Sequence, residues 1–179
     1  MKRLGIISII LLVLLTSTGT SYKTETKQNF DTNAKMKAVF VYNFTRYIAW
    51  PEEYKQGNFV IGLLGETSIT EELNKVAATK KAVNQTIEVK KFGSMSDLSE
   101  CHILYVSSNN SGDLAAALQK TKGRSTLVIT ERDGLAAKGA GISFKVVANR
   151  QKFEISKGNI ETRKMTVGAA LLSLAIVVD

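Results

Sequence analysis

The sequence predicts an α/β domain of three layers: a mixed, mostly parallel sheet with helices on both faces and a C-terminal antiparallel hairpin. Short apolar runs at 59–64, 102–106 and 126–130 have the look of strands buried on both faces. Segments with helical spacing lie between them, and that alternation favours parallel strands joined by crossover helices. Toward the end, Ile142, Phe144 and Val146 alternate, as do Phe153 and Ile155, and the short Ala148-Asn149-Arg150-Gln151 link implies a hairpin.

Residues 1–21 read as a signal peptide. Lys2 and Arg3 precede the unbroken apolar stretch 4–15, and Thr16-Ser17-Thr18-Gly19-Thr20-Ser21 supplies a small-residue exit, the layout of a secretory signal. The run is shorter than the roughly 20 residues that span a bilayer. Export with cleavage near Gly19 or Ser21 is therefore expected, and no cysteine near the exit offers a site for lipid attachment.

Residues 22–33 are polar, alternate Lys with Glu and lack periodicity, so they read as a flexible mature N-terminus. Residues 34–179 then form a single domain. Over 34–50, Met36, Val39, Phe40, Phe44, Tyr47 and Ile48 make one helical stripe, with Asn33 or Thr32 as cap, and Pro51 ends it. Ser68-Ile69-Thr70-Glu71 reads as a capping box opening a helix to about residue 78. The alternation over 86–92 indicates a strand nearer the sheet's edge. Ser111-Gly112-Asp113 begins a helix in which Leu114, Ala117 and Leu118 share a face, closed by Lys120, Lys122 and Gly123. The nearly continuous apolar segment 165–178 is read as a core helix docking on the hairpin.

Composition narrows the function. The formal charge of +8 falls by two when Lys2 and Arg3 leave, and the remaining lysines are scattered. No dense basic block with interleaved aromatics is present, so nucleic acid is not an expected partner. Cys101, the single cysteine, precludes an intramolecular disulfide, and its place ahead of 103–106 predicts a buried, inert thiol. His102 is the single histidine and sits inside a predicted strand, so nearly every histidine-dependent mechanism would have to pass through it.

Gly62-Leu63-Leu64-Gly65 lies where strand meets helix but lacks the third glycine and the Lys-Ser/Thr ending of phosphate loops, so its glycines are assigned to a tight turn. Only Glu66 follows that strand, too little acid for a magnesium site. No catalytic residue, cofactor or metal is expected. A binding or regulatory module is the leading class.

The run Lys37-Ala38-Val39-Phe40-Val41-Tyr42-Asn43-Phe44-Thr45-Arg46-Tyr47-Ile48-Ala49-Trp50-Pro51, followed by Phe59-Val60-Ile61-Gly62-Leu63-Leu64-Gly65 and Cys101-His102-Ile103-Leu104-Tyr105-Val106, resembles the YfiR-like family of bacterial periplasmic proteins. The likeness continues through Gly139-Ala140-Gly141-Ile142-Ser143-Phe144, Asn149-Arg150, Phe153-Glu154-Ile155 and Leu171-Leu172-Ser173-Leu174-Ala175. The resemblance implies a periplasmic, non-enzymatic regulator that binds the sensor region of an inner-membrane signalling protein, a diguanylate cyclase or a kinase, and represses its output. It also implies an outer-membrane lipoprotein as a sequestering partner, and it allows a homodimer. One departure is that the namesake's regulation is associated with disulfides, which Cys101 alone cannot form.

By the same resemblance, the hairpin and the approach to the last helix form the contact region, offering Arg150, Glu154, Ile160 and Arg163. Glu154 lies opposite Phe153 and Ile155 on its strand and is expected to face solvent. Ile160 is either an exposed apolar anchor or tucked into the core. Phe44, Tyr47 and Trp50 either pack as core or line a pocket or dimer face. The alternative function is a receptor for a small apolar or aromatic ligand, which requires a cavity near Trp50.

Overall fold

The computed structural model describes residues 22–178; the predicted signal peptide lies outside them. The chain opens with α1 (Tyr22–Tyr47), which begins a dozen residues before the predicted start at Ala34. Residues 22–33 contain neither glycine nor proline, so nothing local stops a helix there. Missing apolar periodicity removes the reason to pack, not the ability to be helical.

The buried stripe of α1 is Ala34, Ala38, Val41 and Phe44, while Met36, Val39 and Tyr47 are exposed. The predicted stripe was thus rotated. Two alanines lie toward the sheet, where short side chains let the helix axis approach closely, and bulkier residues one position away are turned outward.

After α1 come β1 (Ile48–Ala49), a 3-10 turn (Glu52–Tyr54), β2 (Phe59–Leu64), α2 (Thr70–Thr79), β3 (Lys81–Ala82) and β4 (Gln85–Phe92). β5 (Ile103–Val106), a 3-10 turn (Ser111–Asp113), α3 (Leu114–Lys120) and β6 (Leu127–Thr130) follow. The chain then runs through a 3-10 turn (Ala136–Lys138), β7 (Ile142–Val147), β8 (Arg150–Ile155), α4 (Lys157–Glu161), β9 (Thr166–Val167), α5 (Ala169–Leu172) and β10 (Ile176–Val177).

Among the described residues, eight strands form one sheet in the order β10-β8-β7-β6-β5-β2-β4-β3, and β1 pairs with β9 separately. β4, β2, β5, β6 and β7 run parallel to one another. β7 and β8 are the predicted antiparallel hairpin, and β3 turns back on β4 at the other edge. The mixed three-layer class read from the sequence is the one observed.

The strand period of two divides each strand between the two layers. Ile61 and Leu63, Ile103 and Tyr105, Leu127 and Ile129, Ile142 and Phe144, and Phe153 and Ile155 face one large core with α1, α2, α4 and α5. Leu64, Leu104, Val106 and Val128 face the other, covered by Leu114 and Ala117 of α3 and by Phe92, Leu98 and Cys101. Within the first core Phe40, Phe44, Phe144 and Phe153 form an aromatic block, with Phe44 edge-on to Phe153 at 5.1 Å and Phe40 edge-on to Phe153 at 5.2 Å.

Three local expectations are corrected. The capping box does not form: Ile69 is the N-cap of α2 and no side chain caps it. Gly62 lies inside β2, not in a turn, and a Cβ there would stand 2.5 Å from Cε2 of Phe92, so its absence makes room for that ring. The segment 165–178 is not one helix but β9, the single turn α5 and β10. Its β-branched ends are captured by backbone pairing, Val167 opposite Ile48 and Ile176 opposite Glu154. Gly168 donates its N–H to the Tyr47 carbonyl at 2.8 Å, which fixes the break between them.

Phe44 is fully buried in the aromatic block. Phe44→Ala is expected to lower the unfolding free energy by about 3–5 kcal/mol with an unchanged denaturant slope, measured by urea titration.

Candidate functional site

In an open parallel sheet the default ligand crevice lies beyond the carboxyl ends of the strands, where the order reverses. Here that point is between β2 and β5, with β4 wound to one side and β6 and β7 to the other. Among the described residues, the loops there bond to one another. Gly65, at φ +79°, leaves space that a Cβ would contest with the Asn110 side chain. Ser107 Oγ donates to Asn110 Oδ1 at 3.0 Å, and Asn110 Nδ2 donates to Asp113 Oδ2 at 3.0 Å.

Beside it, Glu131 at the end of β6 accepts from Lys37 Nζ of α1 at 2.8 Å, from the Ser108 N–H at 3.1 Å and from Thr67 Oγ1 at 3.4 Å. Lys37 and Glu131 are both largely shielded from solvent, so the pair tethers α1 across the strand ends. Tyr105 lies underneath, fully buried, its hydroxyl without a hydrogen bond of ordinary length although Thr67 and Glu131 are the polar groups near it. Burial first, and the Glu131 charge second, push that phenol well above its ordinary range, so it stays protonated.

The two chemically suggestive residues at the opposite ends of the strands are also committed to structure. His102 Nδ1 accepts the Val60 N–H at 3.0 Å, so Nε2 carries the proton and donates it to the Tyr54 carbonyl at 2.8 Å. Its ring stacks on Phe59 at 4.4 Å between centroids. Burial lowers its pKa, partly opposed by the Tyr54 bond. Cys101 is buried as predicted, and desolvation pushes its thiol up to about 12. Among the described residues, no group of three or more His, Cys, Asp and Glu could hold a metal ion.

The aromatic candidates separate. Phe44 belongs to the aromatic block and Tyr47 is exposed. Trp50 is buried, edge-on to Phe59 at 5.0 Å, with its indole N–H donating to the Ser125 carbonyl at 2.9 Å. They do not line one pocket.

The hairpin is where structure and solvent meet. β7 pairs with β6 only through Ile142 and Ser143, and β8 pairs with β10 only through Glu154 and Ile155. Beyond those rungs, among the described residues, β7 and β8 pair only with each other, from Phe144 opposite Phe153 to Val147 opposite Arg150. Ala148 and Asn149 both have positive φ, 47° and 59°, the signature of the two-residue type I′ turn. The result is a two-stranded arm with a buried phenylalanine base and a tip that exposes Val146 at 58%, Val147 at 40%, and Arg150 and Lys152 beside them. Val146 shares a face with Phe144, as its alternation predicts, but lies beyond the Phe144–Phe153 pair, opposite Gln151, and is exposed. Two adjacent valines ahead of a tight turn are the sequence signal for this tip.

Of the four predicted contact residues, Arg150 alone is well exposed. Glu154 does point away from Phe153 and Ile155, yet that side is covered: it is 5% exposed, accepts Lys145 Nζ at 2.9 Å and the Gly134 N–H at 2.8 Å, and pins the loop after β6 to β8. Ile160 takes the core option and is fully buried. Arg163 is half-buried, its Nη1 donating to Thr121 O at 3.0 Å and Thr121 Oγ1 at 3.1 Å, which joins the end of α4 to the end of α3. Burial lowers its pKa.

Two outcomes follow. Because the folded-state pKa of His102 lies below 6.5, the unfolded chain takes up the proton first as pH falls. The stability contribution is therefore complete above about pH 6.5 and is lost as pH drops toward the folded value. Nitrogen-15 NMR should show the Nε2–H tautomer titrating below 6.5, and a normal or raised pKa would contradict the buried geometry. For Cys101, a thiol reagent should label the unfolded chain stoichiometrically and the native chain only at the rate of global opening.

No helix of the described residues is long and apolar enough to cross a membrane. No curated protein matches the sequence. A solved ABC domain in complex with L-Trp from Streptococcus pneumonia aligns over 67% of this chain and 55% of its own, at 12% identity and a TM-score of 0.49. That likeness is too low to bear on fold or ligand. The family described as DUF4154, YfiR/HmsC-like, matches residues 34–176. That span takes in α1 from Ala34, the whole sheet up to Ile176 and the hairpin arm, and the chain belongs to the YfiR/HmsC-like family.

Proposed function

We propose that the protein is an exported, non-enzymatic regulator that binds the periplasmic sensor region of an inner-membrane signalling protein, a diguanylate cyclase or a kinase, and represses its output. The family match over residues 34–176 carries this reading, because the YfiR/HmsC-like family is regulatory and not catalytic. Two features of the molecule support it. The loop side chains at the strand-end crevice bond to one another, and His102 has both ring nitrogens engaged in structure.

The contact surface in this proposal is the tip of the hairpin arm. Val147 supplies apolar area on the face it shares with Arg150 and Lys152, whose charge selects an acidic counterpart, and Val146 adds apolar area on the other face of the tip. An outer-membrane lipoprotein that competes for the same tip would relieve repression. Glu154 and Ile160 act on this surface only indirectly, by holding the base of the arm.

The decisive measurement is crosslinking in intact native cells expressing the protein with its signal peptide, followed by identification of what co-purifies. Capture of a membrane sensor with a cyclase or kinase domain is expected, and capture of transport components alone would overturn the reading. Against the purified sensor region, Val147→Asp and Arg150→Glu should each weaken binding about tenfold or more at unchanged melting temperature. Ile160→Asp should instead destabilise the fold by several kcal/mol, since it buries a carboxylate without a partner. Wild-type affinity in both tip variants would remove the arm from the interface.

A further inference from the structure

α1 and α2 lie side by side on one face of the sheet and leave a groove of about 420 Å³ between them. Its lining follows helical spacing on both walls: Lys35, Val39 and Tyr42 on α1, and Lys75 and Val76 on α2, with Lys80 at the α2 C-cap. Seven residues of rise on each helix give the groove a length of about 10 Å, or two turns. Its floor is apolar, through Val39, Val76 and the ring of Tyr42, and Met36 extends that strip along the exposed side of α1. Its rim is basic. Glu72 is the one acid in the lining and is already paired with Lys75, while Lys35 and Lys80 form no ion pair among the described residues.

We infer that this groove is a docking site for an amphipathic helix with an acidic polar face, presented by a protein partner. An apolar floor two turns long fits residues at i, i+3, i+4 and i+7 of a helix laid along it. The lysines on both walls then meet carboxylates flanking that apolar stripe, and a basic helix would be repelled by the same rim. The concave shape favours a rod over a bilayer, whose surface is met by protruding groups. Phe40 and Phe44, on the other side of α1, hold the wall against the sheet, so the groove is preformed and a ligand need not order it. The inference does not rest on the target proposed for the hairpin arm, which is built from different elements.

The test uses the full chain and a fluorescein-labelled peptide of about 18 residues, with leucine at i, i+3, i+4 and i+7 and glutamate and alanine elsewhere. Fluorescence anisotropy should show saturable binding that weakens with added salt. The same peptide with lysine in place of glutamate should bind at least about tenfold more weakly. Val39→Asp, and separately the double variant Lys35→Glu with Lys80→Glu, should each cost about tenfold or more at unchanged melting temperature, because all three residues are exposed. Absence of saturable binding by the acidic peptide, or equal affinity in both variants, would overturn the inference. So would co-sedimentation with vesicles of equal parts phosphatidylcholine and phosphatidylglycerol that is stronger than peptide binding and is lost in the same variants.

Discussion

A parallel sheet wetted on one face would not hold, and in this protein the larger face is closed by an aromatic clamp. Phe40 and Phe44 descend from α1 onto Phe144 and Phe153, one from each strand of the C-terminal hairpin, with ring centroids 5.1 to 6.3 Å apart between helix and strands. Each buried ring removes a large apolar area from water and adds the edge-to-face preference of aromatic pairs. The clamp joins the first described element to the antiparallel hairpin of the sheet. The Lys37–Glu131 pair then fixes the same helix over the strand ends, and the backbone bond from Gly168 to Tyr47 fixes its exit.

Polar and titratable side chains at both ends of the strands are engaged in structural hydrogen bonds. The polar groups at the switch point are spent on one another, Ser107 on Asn110, Asn110 on Asp113 and Glu131 on Lys37 and Ser108. At the opposite ends of the strands His102 joins the Val60 N–H to the Tyr54 carbonyl, and Tyr54 in turn accepts the Ser125 N–H through its hydroxyl. What remains available lies on surfaces: the arm beyond the clamp and the groove on the outer side of α1. These two surfaces are the ones on which the proposals for partner binding rest.

The same reasoning separates residues that present a surface from residues that support one. Glu154 and Ile160 sit close to the arm in sequence, yet one is the buried acceptor for Lys145 and for the Gly134 backbone and the other is core. Substituting either perturbs the arm through its base. Of the four contact residues singled out from sequence, Arg150 both lies on the arm and reaches solvent.

The sequence by itself determined the class of fold, the strands at β2, β5 and β6, the hairpin and the burial of Cys101, because these rest on local signals: continuous apolar runs, alternation and a short link between alternating runs. It also carried the family, through motifs spread from α1 to the end of the chain. The tertiary structure decided the rest, and in each case the reason is a neighbour the local pattern cannot name. Which face of α1 is buried depended on how closely its alanines approach the sheet. The apolar tail became two short strands and a turn because Ile48 and Glu154 offered backbone partners. Glu154 is buried because a loop twenty residues earlier folds over it, and Val146 is exposed because it lies past the Phe144–Phe153 pair that the aromatic block holds. Periodicity assigns a side chain to one of two faces; only packing decides whether that face meets water.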